Sequence, residues 1–145
     1  MAKRKKVIYL IGALKNWSIV ALTNELEALG FEVFSEWLCA GPDADTWLLN
    51  YAKERGWSYK DALYSYAARQ IFEFDKKHID RSDLVIMVMP CGKSGHMELC
   101  YARGCGKPGY ILFEDEPARM DVMYQFATNV FFSKVDLIHE LRRYL

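Results

Sequence analysis

The chain has 145 residues, 52% hydrophobic and 26% charged, the make-up of one globular domain over 1–145 rather than of a disordered chain. Nineteen basic and nineteen acidic side chains cancel, which argues against a general binder of nucleic-acid polymers or of membrane surfaces. No apolar run approaches the ~20 residues of a membrane span.

In chain order, Lys3-Arg4-Lys5-Lys6 makes the start basic. Residues 1–5 read as a solvated tail. A charged start that enters a short strand-like run is not a signal peptide, so the expected location is the cytosol. There Cys39, Cys91, Cys100 and Cys105 are expected as reduced thiols. Their spacing fits no zinc pattern, with or without His96, so no metal is expected.

The run KVIYLI (6–11) is apolar and β-branched and ends at Gly12. It reads as a strand buried on both faces. NWSIVALTNELEALG carries Ile19, Leu22, Leu26 and Leu29 at helical spacing, with Gly30 as the stop. FEVFSEW (31–37) is the second strand. A long helix is predicted over about 60–82, LVIMVMP (84–90) is the third strand, and GHMELCYARGC is a third helix. GYILF (109–113), a short strand at NVFFS and a terminal amphipathic helix at VDLIHELRRYL complete the pattern.

Strand and helix alternate, which predicts α/β architecture. The expected fold is a single doubly wound flavodoxin- or Rossmann-like domain, with a parallel five-stranded sheet and helices on both faces. Ligands in such folds sit beyond the carboxyl ends of the strands, here the loops after Ile11, Trp37 and Pro90. Residues 39–60 are too long for an ordinary connection and hold Trp47, Tyr51, Trp57 and Tyr59. They form either a helical excursion with its own satellite core or a lid whose rings stack on a planar ligand. Trp37, Trp47, Trp57, Tyr64 and Tyr66 could also serve as core or subunit contacts.

Glu98 is the first candidate for chemistry. With Ser94 or Gly95 as cap it would lie in or just beyond the first turn of its helix, where the helix dipole favours an ionised carboxylate. Tyr101 and Ala102 follow on the same side and read as core-facing. Asp75 is the second carboxylate, eight residues before Asp83, beside an expected core stripe of Ile71, Phe74, His78 and Ile79. Asp80 and Asp83 read as helix-end and turn residues, and Arg69, Lys76 and Lys77 as a solvated face. Gly12, Ala13, Leu14 and Lys15 form the first loop. No P-loop, dinucleotide fingerprint or nucleophile elbow is present.

Together VIYLIGALK, FDKKHIDRSDLVIMVMP and GKSGHMELCYARGCGKPGYILF resemble the nucleoside 2-deoxyribosyltransferase family and the related 2′-deoxynucleoside 5′-monophosphate N-glycosidases. The resemblance runs from about 6 to 113, apart from the aromatic insert. It implies Glu98 as nucleophile, Asp75 as the acid that contacts the base, and Tyr9 as a phenol beside the nucleophile. The glycine turn falls on Gly12. Where the monophosphate glycosidases carry Ser and Arg, this chain has Ala13 and Lys15. Where the transferases carry Asp and the glycosidases Ser, it has Gly92, followed by Lys93 and Ser94. Cys100 replaces the usual Gly. Loss of that Asp, with Lys15 and Lys93 nearby, points to a 5′-phosphate.

The resemblance further implies a homo-oligomer with shared active sites, with Asn129 as the residue a neighbouring subunit contributes. It implies a deoxynucleoside or deoxynucleotide and a free base as the partners, and no cofactor. The expected reaction cleaves the N-glycosidic bond through a glycosyl-Glu98 intermediate and passes the sugar to a base or to water. Two other classes stay open: a catalytically silent nucleotide sensor, and an NAD-type glycohydrolase.

Overall fold

The computed structural model describes residues 3–145, apart from the Asp45 side chain; residues 1 and 2 of the expected tail lie outside it. Five strands, β1 (Val7–Ile11), β2 (Glu32–Phe34), β3 (Leu84–Val88), β4 (Gly109–Leu112) and β5 (Asn129–Phe131), form one sheet in the order β2-β1-β3-β4-β5. Every pairing is parallel. The order reverses direction at β1 and β3, which marks the switch point of a doubly wound sheet.

Side chains alternate across a strand with period two, and the sheet divides accordingly. Ile8, Leu10, Leu84, Ile86 and Tyr110 face one way and pack on Ile19, Leu22 and Leu26 of α1 (Ser18–Leu29). Leu137 and Leu141 from a later helix complete that layer. Tyr9, Ile11, Val85, Met87 and Ile111 face the other way, onto Ile79, Leu99 and Ala102. Each fully buried Ile, Leu or Phe contributes about 1.5–3 kcal/mol, so the two layers hold the sheet without a disulfide.

The predicted 60–82 helix is broken. Helix α2 (Ala44–Glu54) and a short α3 (Tyr59–Leu63) fill the insert, and α4 spans Tyr66–Arg81. Ser58 caps α3 in a reciprocal capping box with Asp61. Ser65, extended at φ −69° and ψ 162°, accepts from the Ala68 N–H and starts α4 afresh. Helix α5 (Lys93–Gly104) begins earlier than expected, with Gly92 as its N-cap, and α6 covers Lys134–Leu141 behind the Ser133 cap.

The second strand is shorter than predicted. After Phe34 the chain turns into a 3-10 segment, Glu36–Ala40, where the Trp37 Nε1–H donates to the Leu10 carbonyl at 2.7 Å. Within the tail, Arg4 is not free in solvent: its guanidinium grips both Asp83 oxygens at 2.8 and 3.1 Å, and Asp83 also accepts from the Val7 N–H.

Candidate active site

Tyr9 stands in the middle of β1, 1% exposed, on the layer covered by α4 and α5. Both helices run down this face in the same direction, since each leads into a parallel strand. Asp75 projects from α4 and Glu98 from α5, both half-buried. The three side chains come from three elements and meet electrostatically. The Tyr9 hydroxyl faces Glu98, and its phenol is held protonated well above its ordinary range, first by burial and then by the charges of Glu98 and Asp75.

Burial pushes the Glu98 carboxyl up to about 7, and the charge of Asp75 adds to the rise; the nearby Tyr9 hydroxyl opposes it. Burial also raises Asp75. This corrects the electrostatic expectation for Glu98. With Gly92 as the cap, Glu98 is the sixth helical residue, in the second turn. The dipole fades within the first turn, so desolvation dominates. Tyr101, expected to face the core, is 37% exposed, whereas Ala102 is fully buried. Ile79 of the expected α4 stripe is buried, but Ile71 and Phe74 are 52% and 51% exposed.

Two residues that sequence reasoning passed over shape the site. Cys91 points at it: burial first, then Glu98, lifts its thiol to about 11. Gly95 lets the start of α5 press against β1. A Cβ there would lie 1.9 Å from Cys91 Sγ and 2.8 Å from Ile11 Cγ2. A lone glycine inside an otherwise helical run was the available signal, since such a glycine has a packing reason.

Gly12 ends β1 where a Cβ would meet Ile19 Cδ1 at 3.0 Å. Lys15 is exposed on the loop after β1, and Gly92, Lys93 and Ser94 are exposed where α5 begins. Because β1 pairs with β3, these two loops leave neighbouring strands at the same edge. Trp47 and Trp57 find partners in the insert itself. Both rings pack on Tyr51, at 5.1 and 5.6 Å between centroids, and the Arg55 guanidinium lies 3.3 Å from the Tyr51 ring centre. The rings nonetheless stay 53% (Trp47) and 37% (Trp57) exposed. Asn129 is not brought to the carboxylates. It is exposed on edge strand β5, and its side chain accepts from the Val130 N–H.

A 120 Å³ cavity lies among Lys3–Lys6, Gly30, Tyr144 and Leu145, and a 310 Å³ groove runs along Val122, Met123, Gln125 and Phe126. Neither is lined by Glu98, Asp75 or Tyr9. Among the described residues, no three His, Cys, Asp or Glu side chains stand together as metal ligands, and no helix is long and apolar enough to cross a membrane.

No protein-family model and no curated protein sequence matches the chain. Solved structures do. The CMP N-glycosidase BcmB of Clostridium botulinum superposes with a TM-score of 0.58 at 17% identity, over 94% of this chain and 99% of its own. The 2-deoxyribosyltransferase of Bacillus psychrosaccharolyticus gives 0.58 at 17%, over 91% and 89%. Both belong to the nucleoside 2-deoxyribosyltransferase family. The response regulator TrrA of Thermotoga maritima, in complex with Mg(2+)-BeF, gives 0.56 at 14%, over 98% and 100%. At these identities the likeness is one of fold, and the fold serves more than one chemistry.

Proposed function

We propose that this protein cleaves the N-glycosidic bond of 2′-deoxynucleosides or their 5′-monophosphates. The supporting observation is the Glu98–Asp75–Tyr9 constellation: two half-buried carboxyl groups, both raised, and a protonated phenol beside one of them. The neighbouring glycosidase and deoxyribosyltransferase structures agree with that reading.

In this reading the two neighbouring carboxyl groups carry one proton between them near neutral pH. With the proton on Asp75, ionised Glu98 attacks C1′. The C1′–N bond breaks as the Glu98 O–C1′ bond forms, and Asp75 delivers its proton to the departing base. Tyr9 orients the Glu98 oxygen and spreads its charge. Water or a second base then attacks C1′ from the opposite side, its proton passes to Asp75, and Glu98 is released. Lys15, Lys93 and Ser94 beside the start of α5 suit a 5′-phosphate. Gly92 leaves the space that an acidic side chain would close against it.

The upper half of α4 and α3 expose Tyr59, Leu63, Tyr66, Ile71, Phe72 and Phe74. A second copy of the chain covers this face in our reading and completes the site, with Asn129 as its contribution. Trp47 and Trp57 then act as a wall of the insert.

The test is chromatographic release of free base from each 2′-deoxynucleoside, each 5′-monophosphate and the matching ribonucleotides, with and without an acceptor base, beside Glu98→Gln. Release that disappears in the variant supports the reading. No release from any substrate overturns it and favours a nucleotide sensor; nicotinamide release from NAD favours the glycohydrolase.

A further inference from the structure

Asp75 and Glu98 belong to different helices, so their spacing is only as definite as the spacing of α4 and α5. Among the described residues one side-chain hydrogen bond joins these helices, and it lies on one side of the carboxylates. The Tyr101 hydroxyl donates to Asp80 Oδ1 at 2.5 Å. Lys76 holds the other Asp80 oxygen at 2.9 Å and stands 5.5 Å from the centre of the Tyr101 ring. Tyr101 and Lys76 together hold the Asp80 carboxyl below its usual range, so the acceptor is a charged oxygen, and such bonds are short and strong. Lys107, just past α5, donates to the backbone carbonyls of Asp80, at 2.9 Å, and Ser82.

Tyr101 is three residues beyond Glu98, and Asp80 five beyond Asp75. Both helices descend in the same direction, so this cluster lies roughly one turn below the carboxylate pair. Among the described residues no other side-chain hydrogen bond ties α4 to α5. Above the pair α4 is exposed along Ile71 and Phe74. The hydrogen-bonded fastening between the two helices therefore lies at the base, away from the ligand edge.

We infer that Tyr101 is a positioning residue: through Asp80, its hydroxyl sets the separation of Asp75 from Glu98. This rests on the reading of those two carboxylates as the working pair. Tyr101 touches no substrate and acts through the helix spacing. A displacement on the order of 1 Å between reacting groups costs up to about a hundredfold in rate, so loss of one hydroxyl reaches the chemistry.

Tyr101→Phe keeps the ring and removes only the bond. The expected result is a fall in kcat for base release of about tenfold or more with KM changed less than about twofold. The groups facing Glu98 are Tyr9 from β1, Asp75 from α4 and Cys91 from the loop before α5. Of these only Asp75 moves with the clamp. The Glu98 midpoint therefore moves down from about 7, as Asp75 recedes and water enters. Asp80→Asn retains an acceptor for the hydroxyl and should change both readouts less than Tyr101→Phe.

The midpoint is read by NMR titration of carboxyl-labelled protein, with the Glu98 signal assigned by Glu98→Gln, and needs no turnover. If Tyr101→Phe leaves kcat and the Glu98 midpoint at wild-type values, the inference is overturned, even when the melting temperature drops. If the wild type releases no base from any substrate, the proposed function fails. The clamp is then judged by the midpoint alone: a downward move supports it and an unchanged value overturns it.

Discussion

Glu98 lies close enough to Asp75 for the charge of Asp75 to raise its carboxyl, beyond what burial already does, to about 7. Ionising Glu98 beside a charged Asp75 is therefore costly, and in the proposed reaction the proton held at this pair is the one delivered to the departing base.

One consequence is a stability gain from removing the charge. Glu98 has a folded midpoint near 7 and an unfolded one near 4.3. Its contribution to stability is fully present below the unfolded value and is lost as pH rises through the folded value. Glu98→Gln should therefore stabilise the protein at pH 8 by about 1–3 kcal/mol, with the gain fading by pH 4. Thermal melts at the two pH values check this; equal effects at both would contradict it.

The pH profile of base release should be bell-shaped, because only the singly protonated pair is competent. Activity falls in acid as the second proton binds, and falls again as pH rises through about 7. Asp75→Asn removes the neighbouring charge. It should lower the Glu98 midpoint, abolish the alkaline limb and reduce kcat by about 10²–10⁴-fold, the usual weight of a general acid. An alkaline limb surviving in that variant would assign it to another group.

The helix contact at Gly95 predicts a steric penalty. Gly95→Ala forces a Cβ onto Cys91 Sγ and Ile11 Cγ2 and should destabilise by about 1–3 kcal/mol, as overpacking does. Cys91→Ala removes the nearer atom, so the double variant should recover part of the loss. Denaturant melts of the four proteins form the cycle, and strict additivity would show that the two sites do not meet.

Thiol reactivity gives a fourth check. Cys39, Cys100 and Cys105 are exposed, whereas Cys91 is half-buried with its thiol near 11. An aromatic disulfide reagent at pH 8 should modify three thiols quickly and Cys91 at least about tenfold more slowly. Four indistinguishable rates would refute that.

The exposed apolar face gives the last. Phe72→Glu, on the outer side of α4, should turn an oligomer into monomers in sedimentation and lower base release with it. An unchanged sedimentation coefficient would remove this face from the proposed interface.

The alternation of apolar runs with amphipathic ones was enough to specify a parallel α/β sheet. β1 and β3 are buried throughout, and continuous β-branched runs state that directly. Gly30 at φ 112° ends α1 where its glycine stood. Glu98 and Asp75 stood out as candidates through spacing and resemblance, and Tyr9 through resemblance alone. Their electrostatic state was not legible. Local sequence placed Glu98 near a helix start and so favoured its charge, but the cap at Gly92 moved it a turn inward. Burial against Tyr9 and Asp75, which are 89 and 23 residues away along the chain, then reversed the sign. The break at Ser65 had a local cue, a serine with capping geometry, that helical periodicity overrode. The Tyr101–Asp80 bond had none. It joins side chains 21 positions apart, and only the packing of α4 against α5 on the same face of the sheet brings them together.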